Sequence, residues 1–170
     1  MSGAPVLRRA TLDDVGFLVA LATDPEVAPF LAAVSARDPE SFRAEIEAAE
    51  AAPAERGRYV IEHDGTPAGA VAFELTNRRS RIAVLHGLML DPRVRGRGLA
   101  RAATRAFARH LFDDLGFHRS ELECYGFNER AIRHFERCGF VREGVKRQAY
   151  RRGDGWVDGV LFGALPQEVL

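Results

Sequence analysis

Cysteine is scarce in this 170-residue sequence: there are two, Cys124 and Cys138, and no Cys-x-x-Cys spacing. A disulfide framework and a cysteine metal centre are therefore poorly supported, and buried, reduced thiols are the expectation. Long apolar runs are missing too. The opening "MSGAPVLRRATLDD" has no apolar core of signal-peptide length, and no later run approaches the roughly 18 apolar residues of a membrane span. A cytoplasmic protein with no membrane partner is expected. Lysine occurs once, at Lys146, so arginine supplies nearly all the positive charge; genome composition accounts for that bias. Net charge is absent as well, with 24 basic and 24 acidic residues. A nucleic-acid binder would show a basic domain with clustered aromatics, whereas the later arginines are broken up by carboxylates, so nucleic acid is not an expected partner. His63, His110, His118 and His134 lack metal-ligand spacing, and no metal is expected.

What the chain does have is enough apolar residue, 46%, for the core of one domain spanning residues 1–170. "PVLRRAT" reads as a short strand, and Thr11 caps a helix over "LDDVGFLVALAT". Prolines break "DPEVAPFLAA". A second helix follows in "DPESFRAEIEAAEAA", with Phe42, Ile46 and Ala49 on one face. "RYVIEHDGTPAGAVAFEL" is a hairpin turning at Asp64-Gly65, and "RIAVLHGLML" adds a third strand. Leu99, Ala103, Phe107 and Leu111 recur at helical spacing up to Gly116. Strand "RSELECY", helix "NERAIRHFERC" and the strands "FVREGVKRQAY" and "GWVDGVLFGAL" complete the order β α α β β β α β α β β. The fold class is α/β (α+β): a mixed sheet of about seven strands with about four helices. Strands joined through the two later helices should be parallel, the others antiparallel. Trp156 is expected to pack within the final strands, with the lining of a binding cleft as the alternative.

The stretch "RVRGRGLARAATRAFARHLF" carries the chemistry. Gly96 and Gly98 lie where a strand gives way to a helix, and glycine there allows a tight turn and close approach of a ligand to the backbone. The first turn of a helix has unpartnered N–H groups and a positive dipole end, which suits phosphate. Arg93, Arg95, Arg97 and Arg101 strengthen the attraction for a polyanion. The pattern is neither a P-loop, lacking Gly-Lys-Ser/Thr, nor a dinucleotide fingerprint, lacking a third glycine at Arg101.

Arg93-x-x-Gly96-x-Gly98, after a strand ending in "LML" and before a helix, resembles the acetyl-CoA signature of the GNAT N-acetyltransferase superfamily. "NERAIRHFERCGFVREG" is similar to the family's later Asn-x-x-Ala helix and Gly-Phe pair. The opening "LRRATLDDVGFLVALATDPEV" and the closing "AYRRGDGWVDGVLFGAL" resemble the branch containing ribosomal-protein N-terminal and polyamine acetyltransferases.

The resemblance implies acetyl-CoA as co-substrate and a primary amine as acceptor, either a protein N-terminus or a small molecule, attacked directly in a ternary complex. It implies that the backbone of Leu88, Met89 and Leu90 binds the pantetheine arm. It places the pyrophosphate on the N–H groups of Arg95, Gly96, Arg97, Gly98, Leu99 and Ala100. Two roles are open to Arg93, contact with phosphate or bracing of the loop. Asn128 matches a cofactor-contacting asparagine and is equally a good helix N-cap. Phe135 would flank the cofactor near its sulfur, where many relatives carry a tyrosine proposed to protonate the thiolate. A phenylalanine cannot do this; water, Tyr125 or Tyr150 would have to substitute. Thiols ionise near about pH 8.5, so thiolate is a tolerable leaving group, and general acid help is worth roughly 10²- to 10⁴-fold. Related enzymes often use a strand carboxylate as base, but the aligned position here is Leu85. Glu74 and His86 are the candidates left, and a backbone N–H near Met89 would stabilise the oxyanion. The acidic first third, with 10 acidic against 5 basic residues up to Gly57, hints at a cationic acceptor. The late strands offer an edge for a homodimer. The alternative to an enzyme is a catalytically weak acyl-CoA-binding sensor or interaction module of the same fold.

Overall fold

A computed structural model describes residues 3–32 and 35–169. Their order is β1 (Val6–Arg9), α1 (Val15–Thr23), α2 (Pro39–Ala51), β2 (Arg56–His63), β3 (Thr66–Asn77), β4 (Ile82–Leu90), α3 (Leu99–Arg109), β5 (Arg119–Tyr125), α4 (Glu129–Arg137), β6 (Val141–Arg152) and β7 (Gly155–Ala164). The strands form one seven-stranded sheet in the order β1-β2-β3-β4-β5-β7-β6. The β2–β3 turn sits at Asp64 and Gly65, with φ of 50° and 75°, the left-handed pair that a two-residue hairpin requires.

Side-chain alternation divides the core between the two faces of the sheet. Tyr59, Ile61, Val71 and Phe73 pack with Ala103, Phe107 and Leu111 of the α3 region. Val60, Ala70 and Met89 face the other way, against Leu18 and Leu21 of α1 and Phe42 and Ile46 of α2. Phe42, Phe73, Phe107 and Phe162 are almost wholly excluded from solvent, each stabilising the fold by about 1.5–3 kcal/mol.

Three features differ from expectation. Thr11 precedes a 3-10 turn, Leu12–Asp14, before α1 begins. The Asp14 carboxylate accepts from the Thr11 N–H at 2.8 Å and from both Arg8 terminal nitrogens at 2.8 Å, which holds that first turn tight. β5 and β6, joined through α4, run parallel but are not neighbours, because β7 lies between them and pairs antiparallel with both. Trp156 does not pack in the strands; it is 59% exposed.

α4 stops at Gly139, where φ is +98° and a Cβ would lie 2.0 Å from the Glu168 carbonyl oxygen. Glycine is needed there both for the backbone angle and for the approach of the C-terminal segment. Among the described residues, no helix is long and apolar enough to cross a membrane.

Candidate functional site

β4 and β5 are parallel neighbours over only three pairs, Ile82↔Arg119, Ala83↔Ser120 and Val84↔Glu121. Beyond Val84 the strands part, and β4 continues to Leu90 with no β5 partner. A bulge accompanies the parting: Ala72 faces His86 and Ala70 faces Met89, so Gly87 and Leu88 together oppose Val71. Gly87 has φ of +58°, and a Cβ on it would meet Arg58 Nη1 at 2.6 Å. The Arg58 guanidinium is 3% exposed, bonds Glu45 Oε2 at 2.5 and 3.0 Å, and donates to the Gly87 carbonyl at 3.4 Å. Its charge is thus matched by α2 while it props the bulge from beneath.

The parted strands enclose a cleft of about 900 Å³. Leu88, Met89 and Leu90 line it from β4, with Leu122, Glu123 and Cys124 from β5, Asn128 and Phe135 from the α4 region, and Gly96, Gly98 and Ala100 from the loop into α3. Gly96 and Gly98 have φ of 81° and 77°, and no atom lies within 4 Å of a Cβ built on either, so backbone angle rather than crowding demands glycine. Gly98 caps α3, and its carbonyl accepts from Ala102 N–H at 3.1 Å. The preceding N–H groups of the first turn have no partner within the helix and carry the positive end of its dipole. Arg95, Arg101, Arg130, Arg133 and Arg137 line the cleft against three glutamates, Glu26, Glu123 and Glu129. This excess positive charge suits a polyphosphate.

Arg93 folds onto Asp91, with Nη2 at 2.6 Å, while Asp91 also accepts the Arg93 N–H at 2.9 Å. That pairing holds the Asp91 carboxyl below its usual range, and Arg93 braces the loop in this arrangement. Arg95 turns back to the Glu26 and Leu90 carbonyls at 3.2 and 3.4 Å. Arg97 is exposed, and Leu99 is buried in the core beneath the loop. Asn128 caps α4, its Oδ1 accepting from Ala131 N–H at 3.1 Å, and also borders the cleft. Phe135 is buried against Phe140 and Phe162 with one face toward the cleft.

Met89 turns its side chain into the α1–α2 core, leaving its backbone at the cleft. His86 lines the cleft and also a smaller depression on the α2 side, shared with Glu45, Arg58 and Glu74. Burial, then the Arg58 cation, lowers the His86 pKa to about 4. The ring is therefore neutral at pH 7 and a weak base. Glu74 lies outside the cleft lining and pairs with Arg56 at 3.3 Å.

Sequence reasoning missed Glu123. It lines the cleft, accepts from Lys146 Nζ at 2.7 Å through Oε2, and accepts the Tyr150 hydroxyl through Oε1. Burial and then this carboxylate raise the Tyr150 pKa, so the phenol stays protonated at neutral pH. Gly159 makes room for the cluster: a Cβ there would sit 2.1 Å from Glu123 Oε1 and 2.8 Å from the Tyr150 ring. Missed too were Gly87, signalled by a lone glycine inside an apolar strand, and the cleft-lining rings Phe30 and Phe127. Cys124 reaches the cleft, and burial pushes its thiol up to about 11, so it is not a nucleophile at neutral pH.

A family model described as acetyltransferase (GNAT) domain matches residues 6–141. The chain belongs to the GNAT acetyltransferase family. A curated relative, the SPbeta prophage-derived uncharacterized N-acetyltransferase YokL of Bacillus subtilis (strain 168), is 26% identical over 108 residues; the match spans 64% of this chain and 60% of that protein. The spermidine N-acetyltransferase of Vibrio cholerae, solved in complex with CoA and spermine, superposes with a TM-score of 0.84 over 97% of each chain, at 20% identity. At that identity the likeness is one of fold. A further solved structure, described only as an acetyltransferase, is 29% identical, with a TM-score of 0.75 over 97% of this chain and 84% of the other.

Proposed function

We propose that the whole chain acts as one acetyl-CoA-dependent N-acetyltransferase domain, moving the acetyl group to a primary amine by direct attack in a ternary complex. The observation that carries this reading is the parting of β4 from β5 immediately before a positive-φ glycine loop at a helix N-terminus. An unpaired strand edge offers backbone groups to an amide-bearing arm, and the loop and first helical turn offer N–H groups to a pyrophosphate. The cleft arginines offset the phosphate charge. Phe135 and Leu88 give the thioester end apolar surroundings. In this reading the backbone beside the Gly87 bulge, at Leu88 and Met89, donates to the carbonyl oxygen as charge develops on it.

The amine nitrogen forms a bond to the acetyl carbon, the carbon–sulfur bond breaks, and the amine loses a proton. Of the carboxylates and imidazoles that line the cleft, His86 beside the bulge and Glu123 on the facing strand are the candidate proton acceptors, each acting directly or through one water. Tyr150, protonated and bonded to the cleft-lining Glu123, offers a hydroxyl to offset the missing one at Phe135. Glu74 does not line the cleft but shares the smaller depression with His86, so it acts at most through His86.

The competing reading, a binding module without turnover, draws on Phe135, which leaves the thiolate end of the cleft without a phenol. Thiol release from acetyl-CoA, followed with polyamines, amino acids and peptides bearing free N-termini against a no-acceptor control, separates the two. Release dependent on an acceptor establishes the enzyme. Calorimetric binding of acetyl-CoA with no acceptor-dependent release establishes the module.

A further inference from the structure

Resting on the transfer reading above, we propose that the acceptor is an amine that also carries an aromatic or bulky apolar side chain and a carboxylate, and that Arg152 receives the carboxylate. The Gly96 and Gly98 end of the cleft is the phosphate end. Another part of the lining comes from the segment after α1, through Phe30 and Leu31, and from β5 and the turn that follows it, through Glu123 and Phe127. Two large rings stand open to solvent there: Phe30 is 45% exposed and Phe127 41%. Their centroids are 6.0 Å apart, and Phe127 stacks on Tyr125 at 5.2 Å with planes 16° apart. Phe30 is tilted 41° to Phe127, so the rings form an angled apolar shelf at the cleft mouth, suited to an aromatic side chain.

Arg152, at the end of β6, lies over that shelf. Its guanidinium carbon is 4.4 Å from the Phe127 centroid and 5.5 Å from that of Tyr125, and Nη1 donates to the Pro29 carbonyl at 2.6 Å. The guanidinium therefore ties the β6–β7 hairpin to the segment that carries Phe30, yet among the described residues it has no carboxylate partner. Every carboxylate lining the cleft is already matched. Glu123 holds Lys146 at 2.7 Å and the Tyr150 hydroxyl, Glu129 holds Arg133 at 3.2 Å, and Glu26 holds Arg95 at 3.7 Å.

Of the acidic residues in the first third, Glu26 alone lines the cleft among the described residues. Asp14 is bound to Arg8, Glu45 to Arg58, and Asp38 caps α2 by accepting from Ser41 N–H at 2.9 Å. A polyamine entering this mouth would bring second and third ammonium groups to a wall whose carboxylates already have basic neighbours, while Arg152 and the lining arginines Arg101, Arg130 and Arg137 have no carboxylate partner among the described residues. An amino-acid-like acceptor instead places its ring on the shelf and its carboxylate on Arg152 by a charge-assisted bond. A free amino acid and a peptide N-terminus with an acidic second residue share this chemistry.

The experiment compares kcat/KM for L-phenylalanine, the dipeptide Phe-Glu, 2-phenylethylamine and spermidine, at saturating acetyl-CoA, with the full chain and with Arg152→Gln. The expected result is that phenylalanine or Phe-Glu exceeds phenylethylamine by about tenfold or more and exceeds spermidine. The better of the two names the source. In Arg152→Gln the advantage over phenylethylamine shrinks to within about threefold, and Arg152→Lys restores part of it. Thermal melts check that both variants fold, and the wild-type comparison stands without them. Phenylethylamine or spermidine turned over as well as the carboxylate-bearing amines, or an advantage unchanged in a folded Arg152→Gln, overturns the proposal while leaving the transfer reading intact. Acetyl-CoA binding with no turnover of any of the four overturns the acceptor assignment, and if the wider amine panel is also inert it overturns the transfer reading too.

Discussion

Replacing Gly98 with glutamate and, separately, with alanine isolates charge from backbone strain at the phosphate end of the cleft. No atom lies within 4 Å of a Cβ at Gly98, so the first side-chain carbon of either residue has room, while φ of +77° strains both alike. A non-glycine residue in that conformation costs roughly 1–2 kcal/mol, or about 2–8 °C of melting temperature for a chain of this length. Both variants should show that loss. Only glutamate adds a negative charge beside the pyrophosphate. At ~6 Å and an effective dielectric between ~80 and ~20, each phosphate charge repels it by about 0.7–3 kcal/mol. Two such charges give ~3 kcal/mol near the middle of the range, or about 100-fold in Kd. Titration calorimetry with acetyl-CoA should then find Gly98→Ala within about tenfold of the parent and Gly98→Glu weaker by a further factor of about 100. Raising the salt to ~1 M, where the screening length shrinks to about 3 Å, should recover part of the glutamate deficit. Equal affinities for the two variants would refute the electrostatic reasoning and remove the phosphates from this loop.

Other consequences are open to direct measurement. Gly139→Ala combines φ of +98° with a Cβ 2.0 Å from a backbone oxygen, and should destabilise the chain by about 3–5 kcal/mol in urea unfolding; a change under about 1 kcal/mol would contradict the packing described. His86 has its folded pKa lowered to about 4 from the ordinary 6.5, so the unfolded chain binds its proton first as the pH falls. Stability from this group is intact above pH 6.5 and declines toward pH 4, by at most about 3 kcal/mol; His86→Gln should flatten the urea midpoint against pH across that window. Glu123→Gln and His86→Gln, assayed for kcat against pH with the acetyl-CoA Kd measured in parallel, should differ. The true proton acceptor loses about 100-fold in kcat with little change in Kd, and equal small losses in both would place the base elsewhere.

Much of the fold is legible because its determinants are local. Phe42, Ile46 and Ala49 recur at helical spacing and are all buried in α2, and the same holds for Leu99, Ala103 and Phe107 in α3. Asp64-Gly65 marks its own turn through its backbone angles. The glycine loop, the strand before it and Asn128 were also recognisable, since spacing and family pattern coincide there, and all border the cleft. Harder to see were features created by convergence of distant residues. Glu123 meets Tyr150, 27 residues further on, only because β7 pairs with β5 and carries β6 on its outer side. Nothing in the periodicity of either strand announces that order. The Arg58–Glu45 pair beneath Gly87 is of the same kind, and its cation adds to burial in keeping His86 neutral. Trp156 was misplaced because a large apolar ring in a strand carries no sign of which face is covered; β6–β7 forms the sheet's margin, and the ring lies in solvent.

The insertion of β7 between β5 and β6 also governs when the cleft can exist. During synthesis β5 emerges before β7, and its outer edge is covered only when residues 159–164 arrive and pair with residues 120–125. Until then β5 is held to the rest of the sheet by three pairs with β4. A chain made only as far as α4 therefore carries a finished glycine loop and an unfinished wall beside it, with Glu123 and Cys124 on an uncovered strand. Non-local strand pairing of this kind is slow relative to helix formation. Capacity to hold the two substrates together should thus appear last in folding, after the helices and the β1–β4 meander have already closed their own core.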